Sequence, residues 1–218
     1  MKKCKLFFNF EKEEKWLQDM ASNGWQLQSV LLTYTFKKSK PESAVIRTDC
    51  HVFNSRSRYL DYLTLFEDCG WKHIAGYKSG GMQYFIRTRA DASEDIFSDA
   101  ASKAGRYKRA ANMWLSLFIT YFIFSTTLFL NSSVGMRWSY VINPKSAFFT
   151  PDIWSRTGDS FWRAFLIESP FAFFRIFTPI ILFICVALFG VFTVAFLRQY
   201  RKYRNKWTEQ NNTGNNPL

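Results

Sequence analysis

Glu11, Glu13, Glu14 and Asp19 sit close together near the start of the chain. Paired carboxylates are the usual equipment of general acid–base chemistry. The same residues also suit the first turn of a helix, where the dipole favours negative charge. Glu13, with Lys12, Lys15 and Asp19, is expected on a solvated helix face. Cys50, His51, Cys69 and His73 supply metal-ligand types, but there is no CxxC pair and the spacing fits no common zinc pattern. Cys50 and His51 also fall on opposite faces of a strand. Ser79-Gly80-Gly81 reads as a hairpin turn, since no helix start follows it. GxSxG, HExxH, Walker and GxGxxG patterns do not occur. The expectation is a non-enzymatic protein with no catalytic, metal or cofactor-binding residue.

The elements around these residues recur. Trp16, Leu17, Met20, Gly24 and Trp25 are followed by Tyr62, Leu63, Phe66, Gly70 and Trp71, with a period of 46 from Gly24 to Gly70. Trp16, Leu17, Met20 and Ala21 share one helical face. Gly24 and Gly70 can close a helix in the left-handed conformation, and Trp25 and Trp71 then anchor the next strand in a core. Strands are predicted before each helix, over Cys4–Phe10 and Val45–Phe53. Two more follow each helix: Trp25–Leu31 with Thr33–Lys38, and Trp71–Tyr77 with Met82–Thr88. The fold class is therefore α+β: a β-α-β-β unit used twice, with two helices on one face of an antiparallel sheet, followed by a two-helix transmembrane hairpin.

The hairpin rests on two uncharged runs, 113–130 and 176–197. Each is near the ~20 residues that cross a bilayer. Arg106, Lys108 and Arg109 precede the first run; Arg198, Arg201, Lys202, Arg204 and Lys206 follow the second. Lys and Arg at membrane ends stay on the cytoplasmic side. The predicted location is the cell membrane, with both termini cytoplasmic. The net charge of +12 divides accordingly: residues 1–112 carry 19 basic and 13 acidic side chains, and 176–218 carry 5 and 1. The domains expected are a duplicated cytoplasmic domain (1–90), a juxtamembrane helix on the inner leaflet (91–112), a span (113–130), an external loop (131–175), a second span (176–197) and a basic, then disordered tail (198–218). Leu6–Phe8 is too short for a signal peptide.

Glu13-Glu14-Lys15-Trp16-Leu17, Met20-Ala21, Gly24-Trp25, Gly70-Trp71 and Ile96-Phe97-Ser98-Asp99 together resemble a bacterial membrane-protein family defined by an N-terminal domain of unknown function. The resemblance covers about residues 1–110. It implies C-terminal membrane helices and genes beside PadR-like regulators, hence an envelope-stress role, and it brings no activity with it.

Two partner classes follow. The lipid bilayer is one, through the spans. A protein partner of the cytoplasmic domain is the second. Nucleic acid is not expected, because the basic residues of the domain, among them Lys37, Lys38, Lys40, Arg56 and Arg58, are interleaved with acids. In the external loop, Asp159–Ser169 is predicted as an interfacial helix ended by Pro170, with Thr178-Pro179 starting the second span. Phe161, Trp162 and Phe165 on it are read as interfacial anchors or, alternatively, as a site for a lipid-like or peptide ligand. A homo-oligomeric pore is the third function considered; the spans carry no charged residue to line one.

Overall fold

The computed structural model describes residues 1–130 and 137–214, with side chains described through residue 208. It divides into two compact units: residues 1–113 with the chain from 192 onward, and residues 114–191.

The first unit begins with a short strand β1 (Lys2–Lys3), helix α1 (Phe10–Ser22), β2 (Trp25–Val30) and β3 (Tyr34–Lys38). Then come β4 (Ile46–Cys50), α2 (Arg56–Asp68), β5 (Trp71–Gly76) and β6 (Met82–Arg87). The strands make two antiparallel three-stranded sheets, ordered β1-β3-β2 and β4-β6-β5, with β2 and β5 as neighbours. Each sheet has a register shift, at Leu27/Ser29 and at His73/Ala75. Asn9 caps α1 by accepting from the N–H groups of Glu11 and Lys12 at 2.8 and 3.3 Å. Gly24 and Gly70 end the helices at φ +78° and +84°. The expected strand over Cys4–Phe10 is not formed. Only Lys2 and Lys3 pair, and Phe10 turns inward as the first residue of α1, against Tyr107 at 4.7 Å.

The core collects Leu17, Met20, Leu27, Tyr34, Phe36, Ile46 and Tyr84 beneath α1. The helices do not share a face. Ile46, Thr48 and Tyr84 lie under α1, whereas Asp49 and Phe85 face the other way and meet Tyr62 and Phe66 of α2. Neighbouring strand residues point to opposite faces, so one sheet serves both helices.

Helix α3 (Ala100–Leu130) begins inside this unit. Asp99 precedes it and accepts from the Ser102 N–H at 2.5 Å. Ala104, Tyr107, Ala110 and Ala111 are buried, so residues 100–113 dock on the domain rather than lying on a leaflet as expected. The chain from Phe192 joins them. Phe192 packs on Phe8, Phe196 on Phe10, and Tyr203 stacks on Tyr107 at 5.1 Å. The tail expected to be disordered is helical to Gly214; residues 215–218 lie outside the described residues.

In the second unit, α3 continues to Leu130, and α4 (Ser139–Ile142) with two short 3-10 turns precedes α5 (Asp159–Gly214). Residues 131–136, in the loop expected to be external, lie outside the described residues. Gly190 lets the helices approach closely: a Cβ there would stand 3.3 Å from Phe118. Both α3 and α5 are long and apolar enough to cross a membrane. The interfacial helix and second span, expected as separate pieces, form one helix through Pro170 and Pro179. Pro170 removes the N–H that would reach the Leu166 carbonyl, and the Ser169 hydroxyl donates to that oxygen instead at 3.3 Å.

Candidate functional site

The carboxylates of α1 are not on a solvated face. Phe10, Glu14, Leu17 and Ala21 recur at the helical interval, and Glu13 lies beside them, so both glutamates turn inward; they are 3% and 4% exposed. Glu13 accepts from the hydroxyls of Tyr34 and Tyr84, each at 2.7 Å. Burial pushes its pKa up to about 6, against the lowering effect of the Tyr84 and Tyr34 hydrogen bonds. Both tyrosines are held neutral, their pKa values raised first by burial and then by Glu13.

Glu14 points to the outer edge of β4. It accepts from the Thr48 N–H at 3.0 Å and the Thr48 hydroxyl at 2.9 Å. Its other partner is Arg106 of α3, which is fully buried. Arg106 also donates to the Thr48 carbonyl at 2.8 Å. Its guanidinium lies 5.0–5.2 Å from the ring centres of Phe10, Phe97 and Tyr107. Burial alone would lower the pKa of Arg106; Glu14, together with Tyr107 and Asp95, more than restores it.

One helical turn on, Arg109 donates to Asp49 and to the Cys50 carbonyl, both at 2.6 Å. Asp49 also accepts from Tyr62 of α2 at 2.9 Å and from the Cys50 N–H at 2.7 Å. Gln18 donates to the Ile46 carbonyl at 3.1 Å. The free edge of β4, which would otherwise offer unpaired backbone groups, is thus closed by side chains of α1 and α3. Burial pushes the Cys50 thiol up to about 12.

This arrangement is a latch. A carboxylate from α1 and one from β4 grip two arginines, three residues apart, on the helix that runs on into the first apolar stretch. Ala104, Ala110 and Ala111 let α3 come close enough. Neither glutamate is presented to solvent: Glu14 holds α3 through Arg106, and Glu13 ties α1 to the Tyr34 and Tyr84 hydroxyls of the sheets. Arg106 and Arg109, expected as membrane-flanking charges, are ion-paired within the domain.

Of the sequence-derived positions, Leu17 and Met20 are core, and Trp71 is 1% exposed. Trp16 and Trp25 are half-buried at its margin. Gly24 and Gly70 close α1 and α2. Phe161, Trp162 and Phe165 lie in the second unit. Phe165 stacks on Phe148 at 5.4 Å and, with Phe161, borders Trp154; Trp162 is 58% exposed. There the loop is stapled to α5. Glu168 accepts from the Phe149 N–H and the Thr150 hydroxyl and pairs with Arg175, which also donates to the Ala147 carbonyl.

No curated protein and no solved structure matches the chain. A family described as "Protein of unknown function (DUF2812)" matches residues 9–119. The match starts at the Asn9 cap, includes Glu14, Asp49, Phe97, Asp99, Arg106 and Arg109, and continues past the docked part of α3. The latch therefore lies within the family's domain, and on the extent of that match the chain belongs to the DUF2812 family.

Proposed function

We propose that this is a non-enzymatic membrane-anchored protein with both termini cytoplasmic, whose domain 1–90 binds a protein partner in an envelope-stress response. The two β-α-β-β units match as the halves of a duplication. They share strand order, a register shift, and a period of 46. In that register Glu14 corresponds to Leu60, Leu17 to Leu63 and Met20 to Phe66. Glu14 is covered by α3, but Leu60 is 49% exposed and no residue of α2 is fully buried. Leu65 on the same helix is 60% exposed. One helix of the pair is taken up in holding the span; the other offers an uncovered face of the same build to a partner.

The test is a photo-crosslinking residue placed at Leu60 or Leu65 in the full chain in living cells, with Lys40 as control. A discrete adduct from α2, lost with Leu60→Asp carrying the crosslinker at Leu65, is expected. Equal adducts from Lys40, or none from α2, would overturn the assignment.

A second reading has its own observation. The loop before α5 forms a shallow, open concavity of about 430 Å³ whose lining includes Lys145, Phe148, Phe149, Thr150, Asp152 and Trp154 and none of Phe161, Trp162 and Phe165. That is the size of a small-ligand site and favours a sensor of a lipid-like or peptide ligand.

A further inference from the structure

At the end of the first unit from which α3 departs, exposed apolar side chains gather. Contacts along the elements fix which end this is. Arg106 lies at Thr48, Arg109 at Cys50, and Met113 reaches the turn at Gly81, so β4 and α3 run the same way. α1 runs the opposite way, with Gln18 at Ile46 and Glu14 at Thr48. Its N-terminal end, with Phe8, is therefore at this same end. Tyr34 bonds to Glu13, and the β2–β3 tip lies two to three residues further on. At ~3.3 Å per residue the tip reaches roughly 7–10 Å past Tyr34.

The tip is Leu31-Leu32, 74% and 88% exposed. Leu6, Phe8, Val52 and Tyr77 are 64%, 40%, 46% and 47% exposed on the neighbouring loops. Two adjacent leucines at the tip of a hairpin are costly in water unless something covers them. Lys5, over the rings of Phe7 and Trp16, and Lys108 on α3 add positive charge at this end. From Met113 onward α3 is uncharged to Leu130. A surface that is apolar at its tips, basic around them and placed where the chain turns uncharged is complementary to an anionic headgroup layer.

We propose that the β2–β3 hairpin dips Leu31 and Leu32 into the bilayer interface, with Lys5 and Lys108 among the headgroups. The domain then stands on the membrane at two points, the root of α3 and this tip. The inference rests on the membrane reading above and adds the lipid contact of the domain itself.

The test uses the full chain with Cys4→Ser, Cys69→Ser and Cys185→Ala, reconstituted in phosphatidylglycerol–phosphatidylethanolamine vesicles. Single cysteines replace Leu32, Lys40 or Phe124 and carry an environment-sensitive fluorophore. Quenching by spin-labelled lipid is expected at Leu32 and Phe124 and not at Lys40, and Leu31→Asp should abolish it at Leu32 alone. Quenching at Phe124 without quenching at Leu32 would overturn the inference and leave the membrane reading standing. Absence of quenching at Phe124 would remove both. A Leu32 probe shielded from lipid-borne and aqueous quenchers alike would assign the tip to a protein and likewise overturn the proposal.

Discussion

Replacing Arg106 by Met isolates the latch. The side chain is fully buried and holds Glu14 and the Thr48 carbonyl. Met keeps most of the apolar stem, so the change removes charge and hydrogen bonds rather than volume. Removing one partner of a buried ion pair costs ~3–5 kcal/mol, because the other charge stays buried without compensation. Glu14 keeps the Thr48 N–H and hydroxyl, which softens the loss. The cation's contacts with Phe10, Phe97 and Tyr107 disappear, and at a desolvated site these are worth ~2 kcal/mol. The net expectation is about 4 kcal/mol, a large part of the ~5–15 kcal/mol that holds a domain folded. Urea unfolding of the full chain in detergent, read by pulse proteolysis of the N-terminal domain, measures it. Adding Glu14→Gln removes the stranded charge, so the double variant should be more stable than Arg106→Met alone. A loss below ~1 kcal/mol for the single variant, or a double variant worse than the single, would refute the latch.

Glu13 gives a pH signature. Its folded pKa of about 6 lies above the ordinary 4.5, so the folded state holds the extra proton and this group favours folding below pH 4.5. That contribution is lost as pH rises through 6, by about 2 kcal/mol at 1.36 kcal/mol per pH unit; Glu13→Gln should therefore gain on wild type between pH 4.5 and 7 in paired urea titrations, and a flat difference would contradict the burial argument. Trp71→Ala should cost ~3–5 kcal/mol and half-buried Trp25→Ala distinctly less, checked by the same unfolding curves. On α5, Phe165→Leu should loosen the packing on Phe148 and Trp154, whereas exposed Trp162→Leu should not, as proteolysis of the preceding loop would report. If the sensor reading holds, Phe149→Leu in the lining of the concavity removes the stress response at matched membrane levels; an unchanged response would leave only anchoring.

The elements of the first unit were legible because their signals are local. Gly24 and Gly70 stop helices by backbone conformation, and the strands that follow alternate in the ordinary way. What escaped was the role of charge. Glu13 and Glu14 look like dipole-compensating surface residues until their register with Phe10, Leu17 and Ala21 is counted, and that register places them inward. Arg106 and Arg109 look like membrane flanks because they precede an uncharged run. The stripe of Ala104, Tyr107, Ala110 and Ala111 on the same helix was the available sign that this segment packs against protein. The partners that make such charges tolerable, Thr48 and Asp49, are more than 30 residues from Glu14 and more than 50 from Arg106 and Arg109, so no sequence window brings them together. The opposed faces of the two helices were hidden for a similar reason. Alternation in β4 and β6 shows that both faces are used, and the choice of helix for each depends on packing at a distance.

The central claim, a membrane-anchored protein with its latched domain on the cytoplasmic side, is tested most directly by labelling intact cells with an impermeant thiol reagent. In a chain with Cys4→Ser and Cys69→Ser, whose Cys50 is buried, a cysteine at exposed Ser146 should be modified and one at exposed Arg201 spared until the cells are opened. Modification of the Arg201 cysteine with sparing of that at Ser146 would contradict the orientation, and recovery of the chain free of membranes would contradict the anchor.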